Sequence, residues 1–103
     1  MSTGYGEQDI EQDIQAKGLT APRITPRDLD GKIVNELYHV FPGTTVTVCC
    51  LVLENGFAVV GESAAVSAEN FDEEIGRKIA RADARDKIWP LEGYLLRESL
   101  LRS

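Results

Sequence analysis

Three arginines spaced four apart, Arg77, Arg81 and Arg85, are the residues of this chain whose type and placement come nearest to chemistry. On a helix that spacing lines them along one side. Guanidinium forks match phosphate or carboxylate in a bidentate way, so the stripe could hold an anionic ligand. The same stripe also reads as a solvated face neutralised by its acidic neighbours, because Glu73 and Arg77, then Glu74 and Lys78, are i,i+4 pairs. Catalytic patterns are poor. His39 is the sole histidine. It could pair with Cys49 or Cys50 as a nucleophile couple, but it reads more simply as a polar residue near a helix end. One histidine and two adjacent cysteines do not have metal-ligand spacing. Gly61-Glu62-Ser63 lacks the glycine that a nucleophile elbow needs after serine, and no strand precedes Gly4 and Gly6 to make a phosphate loop. Glu62 lies in an apolar strand, either as an exposed or edge residue or as a carboxylate facing a ligand or the basic stripe. The chain reads as a non-catalytic binding protein, with no catalytic residue, metal or cofactor implied.

The bulk properties narrow the classes. A length of 103 residues and 43 % hydrophobic content fit one small domain with a thin core, for which association into an oligomer would bury more surface. A net charge of −6 and a pI near 4.7 argue against general nucleic-acid binding. No apolar run reaches the ~18 residues of a membrane span, and no secretory signal pattern opens the chain, so the cytosol is the expected location. Adjacent cysteines seldom bridge each other; in a strand Cys49 and Cys50 point to opposite faces as small apolar residues.

The elements that must position these groups follow in order. Residues 1–24 read as a flexible segment. Met1 to Gly6 is expected to be disordered, a marginal or docked helix covers the repeated EQDI that ends in Ile10 and Ile14, and a linker contains Pro22. Residues 25–103 form a single α+β domain. Its first helix is capped by Thr25, starts at Pro26 and carries Leu29, Ile33 and Leu37 at i+4, to end at Phe41-Pro42-Gly43. Thr44 to Leu53 is a strand, Asn55-Gly56 a two-residue hairpin turn, and Phe57 to Ala64 the return strand. That turn pairs Val52 with Val59, Leu51 with Val60, Cys50 with Gly61 and Cys49 with Glu62. Both hairpin faces are apolar near the turn, so one needs helices of this chain and the other a second layer or a partner subunit. Gly61 reads as a bulge or a close approach of another backbone. Ser67 to Trp89 is the longest helical stretch, capped by Asn70 or Ser67, with Phe71, Ile75, Ile79, Ala82 and Trp89 as its apolar face. Pro90 kinks it at Trp89, and Leu91 to Leu101 continues as a final helix. The aromatics near chain breaks, Tyr38, Phe41, Phe57, Phe71, Trp89 and Tyr94, read mostly as core.

From Thr25 to Leu100 the chain resembles a widespread family of small phage and prophage proteins of the gp forty-nine and gp sixty-six type. The resemblance rests on Phe41-Pro42-Gly43-Thr44-Thr45, Asn55-Gly56-Phe57, Gly61-Glu62-Ser63, Asn70-Phe71-Asp72, Glu74-Ile75-Gly76, Ala80-Arg81 and Lys87-Ile88-Trp89-Pro90-Leu91-Glu92-Gly93-Tyr94. The hairpin followed by NFD…EIG…A is also similar to the Thoeris anti-defence sponge proteins of phages. That similarity implies a homo-oligomer that sequesters host immune nucleotides, either cyclic ADP-ribose-type signals or cyclic oligonucleotides, without cleaving them. Its implied ligand-binding residues are Phe71 for stacking, Asn70 for base or ribose, and Arg77, Arg81 and Arg85 for phosphate. Two other expectations stand beside this one: a protein-interaction module that inhibits a host enzyme through its apolar hairpin face and acidic surface, and a hydrolase of the same signals.

Overall fold

The computed structural model describes residues 6–103; the expectation for Met1 to Gly6 falls on residues 1–5, outside the described residues, except at Gly6. The order is α1 (Glu7–Ala16), α2 (Pro26–Lys32), β1 (Ile33–Val40), β2 (Val46–Leu53), β3 (Ala58–Ala64), a 3₁₀ turn (Ala68–Asn70), α3 (Glu73–Asp86) and α4 (Ile88–Arg102). The strands form one antiparallel sheet in the order β1-β2-β3. The fold is therefore α+β, as expected, but with one strand more than the sequence reading allowed.

The extra strand replaces most of the expected first helix. The helix start was read correctly: Thr25 Oγ1 accepts from the Asp28 N–H, the Asp28 carboxylate accepts from the Thr25 N–H, and Pro26 follows. The helix then stops after Lys32, and Ile33 to Val40 pair with β2. A spacing of four, as in Ile33 and Leu37, suits a strand as well as a helix because four is a multiple of two. The β-branched and aromatic content of IVNELYHV and the unpaired edge of β2 decide for the strand.

The hairpin register also moves by one residue. Leu53 and Phe57 close a three-residue loop: the Leu53 N–H donates to the Phe57 carbonyl and the Gly56 N–H to the Leu53 carbonyl, each at 2.8 Å. Gly56 takes φ +90°, the left-handed residue of a three-residue turn. Val52 therefore faces Ala58, Leu51 faces Val59, Cys50 faces Val60, Cys49 faces Gly61 and Val48 faces Glu62.

Thr47, Cys49, Leu51 and Leu53 are buried on one face of β2, together with Val59 and Gly61 of β3. This face packs on α3, but not through the stripe expected from periodicity. Gly76, Ala80 and Ala84 point inward, whereas Ile75 and Ile79 are exposed at 57 % and 54 % and Ala82 is exposed too. The cause is Gly61: a Cβ placed there would lie 2.1 Å from the Ala84 nitrogen and 2.3 Å from the Ala80 carbonyl oxygen. Helix and sheet backbones approach so closely that only small residues fit between them, and larger apolar side chains turn to the flank. The close approach anticipated at Gly61 is thus present, opposite Cys49. Leu29, Ile88 and Val59 complete the core with Ile24, Ile33, Trp89 and Leu91 packed on it.

Asp72, not Asn70 or Ser67, caps α3 by accepting from the Ile75 N–H. The break before α4 falls at Lys87, two residues ahead of Trp89, and Pro90 sits in the first turn of α4. Along the outer edge of β3, the Asp83 carboxylate accepts from the Glu62 N–H and Lys87 Nζ donates to the Val60 carbonyl. Two side chains one helical turn apart thereby seal a strand edge. The molecule measures 51 × 34 × 17 Å, with a radius of gyration of 16.4 Å against about 13 Å for a compact chain of this length.

Candidate functional site

The arginine stripe lies on the flank of α3 that faces β1 and α2, and each guanidinium meets a carboxylate of this chain. Arg77 Nη1 is 3.5 Å from Glu73, and Arg81 Nε donates to Glu36 at 2.9 Å. Arg85 is held hardest: Nε donates to Asp30 and Nη1 to Glu7, both at 2.7 Å, and Nη2 to the Pro26 carbonyl at 3.3 Å. Its side chain is 14 % exposed. Glu7 and Asp30 hold the Arg85 charge more firmly than for a free arginine, against the cost of its burial. Glu36 also accepts from the Tyr38 hydroxyl at 2.7 Å; that bond, then Arg81, lowers its pKa.

Asn70 and Phe71 occupy the other flank. Asn70 ends the 3₁₀ turn, and with Phe71, Thr45, Ser63, Ile75 and Ile79 it lines a cleft of about 170 Å³. The structure therefore brings Asn70 and Phe71 together and separates them from Arg81 and Arg85, which line a different hollow with Glu7, Asp30 and Asp86.

The possible nucleophile pair of His39 with Cys49 is likewise divided. Cys49 is fully buried, and desolvation raises its thiol pKa, which disfavours the thiolate. His39 lies in β1 rather than at a helix end, facing Val48 on the opposite side of the sheet from Cys49, with its ring edge-on to Phe41 at 4.6 Å. Cys50 is half-buried on that same side. Glu62 is exposed opposite Val48. Among the described residues, no group of three or more His, Cys, Asp or Glu is placed to hold a metal, and no helix is long and apolar enough to cross a membrane.

A further cleft, of about 300 Å³, lies between the hairpin loop and α4. Leu53, Leu91 and Leu95 line it, with Phe57 and Tyr94 at its mouth exposed at 56 % and 70 %. Its polar group is a chain of charges: Lys32 Nζ is 3.0 Å from Glu54 and 3.8 Å from Glu92, which is buried. Glu54, then Glu92, raise the Lys32 pKa. Phe57 and Tyr94, together with Tyr38 and Phe41 at 37 % and 48 % exposure, correct the expectation that aromatics near chain breaks are mostly core. Phe57 lies just past the turn and Tyr94 about two turns beyond the helix break at Lys87.

Helix α1 is fastened by ions rather than by depth. Glu11 takes both ends of the Arg23 fork at 2.7 and 2.6 Å, and Glu7 reaches Arg85, while Ile10 and Ile14 line a groove with Ile24 and Trp89. The segment expected to be flexible thus carries a helix tied to the domain.

Comparison with curated proteins and with solved structures found no match. Comparison with protein families matched residues 24–100, about three quarters of the chain and all of the sheet, α2 and α3. The protein belongs to the phage protein (N4 Gp49/phage Sf6 gene 66) family.

Proposed function

We propose that this phage-family protein acts by binding rather than by catalysis, and that it engages a host protein through the cleft between Phe57 and Tyr94. The observation that carries this reading is two exposed aromatics at the mouth of an apolar cleft of about 300 Å³. Such anchors, beside a few placed polar groups, are what protein and ligand sites are made of. Two carboxylates against one ammonium leave the rim acidic, and the whole chain carries −6. The partner chemistry that fits is an apolar side chain next to a basic one. A purified Phe57→Ser/Tyr94→Ser variant, folded by circular dichroism, is expected to lose the host protein that the natural chain retains from lysate. Retention of the same partner at the same stoichiometry would refute the reading.

A second reading, sequestration of an immune nucleotide, is favoured by one observation: Phe71 and Asn70 share a cleft with Thr45 and Ser63, which combines a stacking face with hydrogen-bonding groups. The phosphates would have to displace carboxylates to reach Arg81 or Arg85. Calorimetry with cyclic ADP-ribose-type nucleotides and cyclic oligonucleotides tests it, and absence of heat at micromolar concentrations refutes it. Either reading makes the protein host-directed, and the second makes it an anti-defence factor.

A further inference from the structure

The sheet has a second face. Leu37, His39 and Phe41 of β1, Val46 to Val52 of β2 in alternation, and Ala58 to Ala64 of β3 in alternation lie opposite to α3 and remain half-buried or exposed. The registers arrange them, with Asn35, in four rows: Phe41–Val46–Ala64, His39–Val48–Glu62, Leu37–Cys50–Val60 and Asn35–Val52–Ala58. In the end row, side-chain size falls steadily from Phe41 on β1 to Val46 on β2 and Ala64 on β3. The ionisable side chains of these rows, apart from the Cys50 thiol, are His39 on one outer strand and Glu62 on the other, in a single row.

We propose that this face is a two-fold interface with a second copy of the chain, with the symmetry axis running along β2. Rotation about that axis lays β1 of each protomer over β3 of its partner. His39 then meets Glu62 of the second copy, twice by symmetry, Leu37 meets Val60, and Phe41 fills the space above Ala64. A two-fold axis across the strands would instead set β1 on β1, with bulk against bulk and His39 near its own copy. An isologous interface must be complementary to itself, and about the axis along β2 this face sets His39 against Glu62 and Phe41 against Ala64. Sheets packed this way lie about 10 Å apart. Three strands by four rows give a plan area of roughly 400 Å², about half the ~800 Å² per partner of a standard interface. The dimer is therefore expected to form in the micromolar range. The proposal is independent of the Phe57–Tyr94 cleft, which lies beyond the turn end of the hairpin.

Sedimentation over a wide concentration range tests it with a charge swap. His39→Glu alone sets two carboxylates against each other and Glu62→Arg alone removes the acceptor that faces His39, and each is expected to weaken association at least tenfold. The double variant restores the pair with reversed sign and is expected to recover most of it. Both swapped positions, His39 and Glu62, are exposed in the protomer, and melting curves check that folding is unaffected. A short bis-maleimide should join Cys50 to Cys50 of the second copy and should fail in Cys50→Ser, since Cys49 is buried. A chain that stays monomeric to millimolar concentration overturns the proposal. So does association unchanged by either single swap, or shielding of Cys50 from maleimide only when a host protein is added.

Discussion

Replacing Gly61 with alanine tests how the fold is held together. The added Cβ would sit 2.1 Å from the Ala84 nitrogen, 2.3 Å from the Ala80 carbonyl oxygen and 2.7 Å from the Ala84 Cα. All three are backbone atoms of a helix, so no rotamer change relieves them. Ordinary contact begins near 3.4 Å, so α3 must lift from the sheet by more than 1 Å. Core contacts at Cys49, Leu51, Val59, Ala80 and Ala84 would all lengthen together, and a gap of ~0.5–1 Å already forfeits a quarter to a half of each dispersion well. The expected cost is about 3 kcal/mol, the upper end for overpacking, out of a total of roughly 5–15 kcal/mol. For a domain of this size that is a fall of roughly 15 °C in Tm. Urea and thermal unfolding followed by circular dichroism measure it. Two controls separate the mechanism from a general intolerance of change at glycine. Gly31→Ala, in α2 with nothing within 4 Å of the new Cβ, should stabilise by about 0.5–1 kcal/mol. Ala84→Gly should not rescue Gly61→Ala, because the clash is with backbone rather than with the Ala84 methyl. A Gly61→Ala protein within 1 kcal/mol of the parent, or one rescued by Ala84→Gly, would refute the reasoning.

Thr47 is fully buried and its hydroxyl has no hydrogen-bond partner. Thr47→Val keeps the shape and removes the unsatisfied group, so a gain of about 1 kcal/mol in urea unfolding is expected, and a loss would show that the hydroxyl is bonded in solution. The Arg23 fork, with help from Gln15, lowers the Glu11 pKa from 4.5 to about 2. A depressed carboxylate contributes stability above its unfolded value and loses it as pH falls toward the folded one. Attachment of α1 should therefore persist at neutral pH and weaken between about 4.5 and 2. Titration of the Glu11 side-chain carbon by NMR checks this, and Arg23→Ala should bring the midpoint back toward the ordinary value.

How much of this was legible in the sequence depended on whether the signal was local. The cap at Thr25, the strand at Val46 to Leu53, the turn near Gly56 and the division at Cys49 and Cys50 are set by neighbours in the chain, and each is legible there. Apart from the hairpin loop, the failures were decisions made by distant partners. Ile33 to Val40 became a strand because β2 needed a second neighbour. The hairpin slipped by one because Gly56 adopted the left-handed position of a three-residue loop. Ile75 and Ile79 turned outward because the Gly61 backbone meets α3, a contact invisible in helical periodicity. The carboxylates that meet Arg81 and Arg85 come from positions 7, 30 and 36, too far along the chain for any spacing rule to pair them.

A body only 17 Å through has almost no interior: among the described residues, eight apolar side chains make up its fully buried centre. Nearly every other position reaches solvent and is constrained by little beyond solubility and helix or strand preference. Such a chain can rewrite most of its exterior by single substitutions while the few residues around Gly61 keep its shape. For a member of a phage protein family, that leaves a large territory open to adaptation and a very small one that holds the fold.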